Sequence, residues 1–284
     1  AFKTVTVEAH SKASNVKTID DMMGFALDPV YNRPLRETPH AIAGLEMTRY
    51  MFETCTSPEQ CAKVVVKNRG NAMRNPYAAF AAELTERDVL GSELVSFPLH
   101  RLDIAPHADG AVVAVLADDQ TAQALGGTPI WIDGIGWCTD TPTLEMRDWG
   151  EAAYARIASE MAYKMAGIAN PRGLIDIAEI CDEYSYKELQ HMEALKFCNR
   201  GEAAEMLESG ATSVQGELPV NISGGALGVG HLFEASGAHK ILELVEQLRG
   251  QAGARQIPDV NIGLAQVWRG VPTATGAVAI LSNM

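Results

Sequence analysis

Positive charge is scarce in this chain. Its 284 residues hold 23 Lys and Arg against 36 Asp and Glu, a formal net charge of −13. Phosphate contact needs a basic surface, so nucleic acid drops out as a partner. Cysteine is scarce too, and badly spaced for a framework. The five are Cys55, Cys61, Cys138, Cys181 and Cys198, an odd number without a CxxC pair. That spacing argues against structural zinc and against disulfides, and it points to a reduced, cytoplasmic compartment. No apolar run approaches the roughly 18 residues of a membrane span. The opening AFKTVTVEAHSK lacks the apolar core of a secretory signal. The dinucleotide fingerprint is missing as well. Gly225, Gly228 and Gly230 are spaced GxxGxG rather than GxGxxG, and no acidic residue closes a βαβ unit about twenty residues on. Neither a short-period repeat nor a low-complexity tract is present.

What is present is a large apolar fraction, 47% of residues, enough for one or two domains with sizeable cores. Phe2 to Ala9 alternates Thr and Val and reads as a strand. Pro29, Pro34 and Pro39 break residues 14–39 into loop. Ala41 to Glu53 has helical periodicity. Ser57 opens a capping box for the next helix, which Asn75-Pro76 ends. A short helical turn covers Thr85 to Leu90. GAVVAVLA, Gly110 to Ala117, reads as a buried strand. Strands are expected at Pro129–Trp137, Ile175–Ile180, Ile262–Gln266 and Gly276–Leu281. Helices are expected at Trp149–Gly167, Ser185–Leu195 and Ser236–Leu248. Alternating strand and helix with paired strands at the end predicts a layered α/β fold.

Several of these stretches, taken in order, resemble one family. DPVYNRPL at 28–35, PHAIAGLEMTRYM at 39–51, AKVVVKNRGNAMRNPYAAF at 62–80 and PHADGAVVAVL at 106–116 resemble the loop domain and following strand of thiolases. AEICDEYSYKELQHMEAL at 178–195 and LPVNISGGALGVGHLFEASG at 218–237 resemble that family's C-terminal half. The sterol-carrier-protein-2 type is the branch most similar to them. The resemblance implies a thiolase-like layered fold. Residues 1–118 would be the remainder of an N-terminal unit, with a loop domain at about 13–105. Residues 119–284 would be the C-terminal βαβαβαββ unit.

The resemblance also implies chemistry. Thiolases make or break a carbon–carbon bond beta to a coenzyme A thioester, which is a substrate; no tightly bound cofactor or metal is implied. A cysteine thiolate attacks, and a histidine on the glycine turn activates it. His231 matches that histidine. A neutral imidazole takes a proton from a thiol and returns it later. A histidine satisfied at a tight bend is the plain alternative. Tyr184 and Asp182 are further catalytic candidates, Tyr184 as a proton donor or oxyanion contact; Asp182 also reads as a helix cap. Asn221, Ser223, Gly224, Gly225 and Arg269 are candidates for contact with substrate or coenzyme A, the first two also as turn formers. The basic run Lys63, Lys67, Arg69 and Arg74 reads as a solvated helix face or as a phosphate contact. Met22, Met23, Met47 and Met51 read as core or acyl-pocket lining. Structural roles are expected for His40 and His107.

Three departures matter. Mapped on the family, the chain starts at the fourth strand of the first unit, so the loop with the nucleophilic cysteine is absent. The expectation is that a separate polypeptide supplies those strands, or that they were removed or lie outside this sequence, and that the protein is a homo- or hetero-oligomer. A small zinc-ribbon and OB-fold protein that guides acyl-CoA is a second expected partner, because relatives of this branch use one. Where many members carry a second acid/base cysteine or a His-Asn pair, this chain has Gln266, Val267, Trp268 and Arg269. Cys181-Asp182-Glu183-Tyr184-Ser185 replaces a His-Asp-x-Phe-Thr-like run. Three readings therefore stand: acyl transfer with the cysteine supplied in trans, a retro-aldolase on a β-hydroxyacyl-CoA that needs no cysteine, and a non-catalytic scaffold.

Overall fold

The computed structural model describes residues 3–12, 27–35, 38–141, 146–270 and 274–284. Met22 and Met23 lie outside them. In chain order, β1 is Thr4–Ser11, α1 Pro39–Thr54, α2 Pro58–Ala72 and α3 Glu86–Leu90. The short hairpin strands β2 (Leu94–Ser96) and β3 (Leu99–His100) follow, then β4 (Gly110–Ala117) and α4 (Asp119–Ala124). Next come β5 (Trp131–Thr139), α5 (Ala153–Ala166), α6 (Pro171–Leu174), β6 (Ile177–Glu179), α7 (Ser185–Ala194) and α8 (Ala203–Glu208). The chain closes with α9 (Gly225–Val229), α10 (Ser236–Leu248), β7 (Ile262–Arg269) and β8 (Thr275–Ser282).

The local signals explain most boundaries. Ser57 and Gln60 form the reciprocal capping box at the start of α2. Gly167 ends α5 in the left-handed region. α4, α6, α8 and α9 carried no sequence signal, being too short for periodicity to show. The last two strands run longer than their apolar stretches because each pairs along its whole length.

The main sheet has the order β5-β8-β7-β6. β6 runs parallel to β7, while β8 is antiparallel to both β7 and β5. A parallel bridge from Ala178 to Val220 extends the β6 edge. Side chains alternate across the sheet. Leu264, Gln266 and Trp268 on β7 share one face with Val278 and Ile280, the face that α5 covers. Gly237 and Leu244 of α10 pack on Val267 and Gly263, on the opposite face. There α10 stops short of β5, so Ile135 and Trp137 stay exposed.

The second sheet is the antiparallel pair β1–β4, with Thr4 opposite Ala117 and Ser11 opposite Gly110. GAVVAVLA was expected to be buried. Instead Val113 is 61% and Val115 63% exposed, and Val5 and Val7 are exposed as well. The reason is topological. Two strands cannot cover each other's faces, and both outer edges are unpaired among the described residues. α10 packs on β7 and also meets β4, and one apolar cluster runs from Met47 and Val64 through Leu189 to Ile280.

Candidate active site

Everything at the candidate site hangs on the turn between Asn221 and His231. Asn221 enters it in the left-handed region, φ 54°. Its side-chain oxygen accepts from the N–H of Ile180 at 2.8 Å, and its amide donates to Glu188 at 2.7 Å. Ser223 donates its hydroxyl to Glu179 at 2.6 Å and accepts from the N–H of Gly225. Asp182 is fully buried and accepts from the N–H groups of Ala226 (2.6 Å) and Leu227 (3.2 Å) and from the Asn68 amide (2.8 Å). Those two N–H groups are the free donors of α9, so Asp182 caps that helix from another strand end. Burial pushes its pKa up, while nearby Lys240 and the donors oppose the shift.

These placements sort the expected residues. Asn221 and Ser223 are buried, with their side chains spent inside the protein rather than turned to a ligand. Asp182 is the helix cap, but of α9 and not of the helix that follows it. Gly224 packs against Ala72. Gly225 lines a pocket that Cys181, His231, Lys240 and Trp268 also line. Tyr184 is buried; its hydroxyl lies 3.1 Å from Nδ1 of His40, and its ring meets Trp268 edge-on at 6.2 Å. It stands outside the residues that line the pocket. Arg269 ends β7 exposed and is likewise outside the pocket. The basic run divides between surface and interior. Lys63 pairs with Glu208, while Lys67 pairs with the buried Glu188 at 2.8 Å and donates to the Val220 carbonyl. Arg69 is buried. The interior carboxylate at Glu188 draws this helix face inward.

His231 is held by its backbone. Its N–H donates to the Pro106 carbonyl at 2.7 Å, and its carbonyl accepts from Ala108 at 3.1 Å. Gly230 allows the approach: its φ is 116°, and a Cβ there would lie 2.5 Å from that of Ala108. The imidazole is different. Among the described residues no hydrogen bond reaches either ring nitrogen, and the nearest carboxylate oxygen, of Glu183, is 3.9 Å from Nδ1. His107 stands beside it, ring centroids 5.8 Å apart, and Phe233 meets it edge-on at 4.8 Å. His191 shows what a satisfied histidine looks like here. It is fully buried, bonded at Nδ1 to the Cys181 carbonyl and at Nε2 to the Tyr154 hydroxyl, both at 2.9 Å. Burial, with Lys187 nearby, holds it well below its usual pKa.

Cys181 lines the pocket with His231, but burial pushes its thiol up to about 12. It is protonated at neutral pH and a weak nucleophile. Glu183 and His107 were not singled out as catalytic from sequence. Glu183 was visible next to Asp182. His107 was expected to be structural; its place beside His231 was not legible, since the bridge pairing the two joins residues far apart in the chain.

A family model described as thiolase C-terminal domain-like matches residues 136–283, more than half of the chain. The chain belongs to the thiolase superfamily. It is 36% identical over 236 residues to an acetyl-CoA acetyltransferase of Methanothermobacter thermautotrophicus, covering 83% of this chain and 61% of that protein. It is 33% identical over 221 residues to human sterol carrier protein 2, covering 76% of this chain and 40% of the relative. This thiolase-superfamily chain is of the sterol-carrier-protein-2 type. A solved structure titled Ltp2-ChsH2(DUF35) aldolase superposes with a TM-score of 0.84 at 25% identity, over 99% of this chain and 72% of that one. The chain thus spans less than two thirds of the length of both curated relatives. No helix among the described residues is long and apolar enough to cross a membrane.

Proposed function

We propose that this chain carries the acid–base half of an active site that makes or breaks a carbon–carbon bond beta to a coenzyme A thioester. The observation that carries the reading is the imidazole of His231, fixed by its backbone at a pocket wall with neither nitrogen spent. In the acyl-transfer form, a cysteine outside these residues gives its proton to His231. The thiolate adds to the 3-oxo carbon of a 3-oxoacyl-CoA. The bond between C2 and C3 breaks, its electron pair stays on C2 as an enolate, and C2 takes up the proton that His231 received. Free coenzyme A then removes the acyl group from the cysteine. Glu183 stabilises the imidazolium that His231 becomes.

Two uncovered apolar surfaces support the idea that strands from elsewhere complete the fold: the β1–β4 pair, and the sheet face at Ile135 and Trp137. We assign the covering strands and the cysteine to residues beyond these 284, carried by a partner polypeptide or by more of this one, in an oligomer that a small acyl-CoA-guiding protein would complete. The neighbour's title, which names two components, supports an assembly of that kind.

The second reading is retro-aldol cleavage. A base takes the proton of a β-hydroxyl, the carbon–carbon bond breaks to a carbonyl product, and the electron pair again stays on the acyl-CoA as its enolate. Two observations favour it. The end of β7 offers Gln266 and Trp268, neither of which titrates near neutral pH, and the aldolase structure covers nearly the whole chain.

The test takes the purified complex with all its chains identified. 3-Oxoacyl-CoA plus coenzyme A is assayed against 3-hydroxyacyl-CoA alone. Thiolysis together with a cysteine-bearing partner supports the first reading, and cleavage without coenzyme A supports the second. A His231→Ala complex that keeps both reactions overturns both and leaves a scaffold.

A further inference from the structure

Behind the His231 pocket lies a buried cluster that the proposed chemistry does not use. Lys187 on α7 is fully buried. Its Nζ donates to Glu46 Oε1 at 2.6 Å, to Gln190 Oε1 at 2.8 Å and to the Tyr154 hydroxyl at 3.1 Å. The proton positions follow from the partners. The Cys181 carbonyl only accepts, so Nδ1 of His191 carries the hydrogen. The neutral ring then accepts at Nε2, and the Tyr154 hydroxyl hydrogen goes there. Tyr154 is left only to accept from Lys187. Three acceptors around one nitrogen call for three N–H donors, so the geometry makes Lys187 an ammonium ion, although burial pulls its pKa down against the opposing Glu46 carboxylate.

That cation lies 4.3 Å from the ring centroid of Trp268. The indole Nε1 of Trp268 is buried and makes no hydrogen bond among the described residues. Its contacts are made through its ring: Lys187, the stacked Tyr154 at 6.3 Å, and Tyr184 and His191 edge-on at 6.2 and 6.4 Å. Trp268 is also a partition. It lines the His231 pocket on one side, and on the other a cavity bounded by Glu46, Arg147 and Tyr154.

We propose that Lys187 is a positioning residue whose ammonium anchors Trp268 as the wall that limits the acyl group beside His231. This rests on the reading of that pocket as an acyl-CoA site. The two cavities are small, about 20 and 10 Å³, so the room comes from the indole itself: releasing the anchor lets it leave the wall, and longer or bulkier acyl groups gain relative to short ones.

The test separates the anchor from the pocket. The complex is labelled with 5-fluorotryptophan, and the Trp268 resonance is assigned by its loss in Trp268→Phe. In Lys187→Met the Trp268 resonance is expected to move or broaden, while those of Trp131 and Trp137 on β5 hold. An unmoved Trp268 resonance overturns the proposal. kcat/KM is then measured for a series of acyl-CoA substrates of increasing length. The long-to-short ratio is expected to rise by about threefold to tenfold, the size of a lost cation–π contact. It should rise further in Trp268→Ala. A resonance that moves while both ratios stay at the unsubstituted value keeps the anchor and overturns the pocket reading. If Lys187→Met does not fold, mono-, di- and trifluorotryptophan are incorporated instead, since each fluorine weakens the ring's attraction for a cation. Tm is expected to fall stepwise, with a slope that Trp268→Phe reduces. An equal slope in both proteins overturns the anchor.

Discussion

Gly225 and Asp182 occupy almost the same space: a Cβ on Gly225 would lie 2.1 Å from Oδ2 of the carboxylate. The glycine also sits at φ 58°, where a side chain adds strain. The two residues form one device. The glycine makes room for the carboxylate, and the carboxylate takes the free N–H groups of the helix that leads to His231.

Substitution at either member is expected to damage the turn in a distinguishable way. Gly225→Ala should cost about 3 kcal/mol or more, through the clash and the backbone. Asp182→Asn keeps the shape but turns an NH2 toward N–H donors whichever way the amide is flipped. A loss of about 2–4 kcal/mol is expected from denaturant midpoints. An Asn variant as stable as the parent would show that the cap is not ionised.

His231 and His191 should part company under the same assay. The His231 ring makes no hydrogen bond among the described residues and packs on His107 and Phe233, so His231→Ala is expected to lose only the packing, about 1 kcal/mol. Activity of the complex should fall by about 10²–10⁴ fold. The ring of His191 is buried and bonded at both nitrogens. His191→Leu is expected to lose about 2–4 kcal/mol, because it leaves the Tyr154 hydroxyl and the Cys181 carbonyl without their partner. Thermal melts and turnover of the two variants, measured side by side, check this.

Which parts of this were legible in the sequence follows from where the information lies. The capping box at Ser57, the Gly167 stop and the amphipathic α10 are local, and their signals are written within a few residues. Glycine spacing and the resemblance located His231. The surroundings of Asn221, Ser223 and Lys67 were not legible, because their partners Ile180, Glu179 and Glu188 come from other parts of the chain. Tyr184 looked like a pocket residue by its place in CDEYS, but packing turns its ring behind Trp268. The exposure of β4 was hidden for the opposite reason. Its composition is that of a covered strand, and composition cannot show that the cover comes from elsewhere.

That exposure makes its own prediction. Val113 and Val115 project on one face of the β1–β4 pair, opposite Glu8 and Thr6. If another polypeptide covers this face, Val113→Lys with Val115→Lys should break the assembly while sparing the main sheet. Co-purification is expected to fall at least about tenfold, with the circular dichroism of this chain unchanged. Undiminished co-purification would place the contact elsewhere.

The last prediction concerns pH, at a pair beside the pocket. Nε2 of His239 lies 3.5 Å from Oε1 of Glu243. Burial pushes Glu243 up to about 7, with Glu179 adding repulsion and the Arg255 guanidinium at 3.0 Å opposing it, and burial pulls His239 down to about 4, with Lys240 adding to it. Taken alone, Glu243 binds its proton more tightly when folded. Its effect is that stability falls as pH rises from the ordinary carboxylate value of about 4.3 toward 7. His239 alone binds its proton less tightly when folded, so stability rises with pH from 4 to its ordinary value of about 6.5. Between about pH 4.5 and 6.5 the folded pair holds one proton on the carboxyl, and the unfolded pair holds one on the imidazole. The proton counts match, and the two slopes cancel. The unsubstituted protein is therefore expected to show little dependence from this pair in that window. His239→Gln should expose a decline of up to about 1.4 kcal/mol per pH unit, and Glu243→Gln a rise of similar size. Denaturant titrations at half-unit steps, read as differences from the unsubstituted protein, decide it. Slopes of the same sign in both variants would show that the two groups do not share the proton.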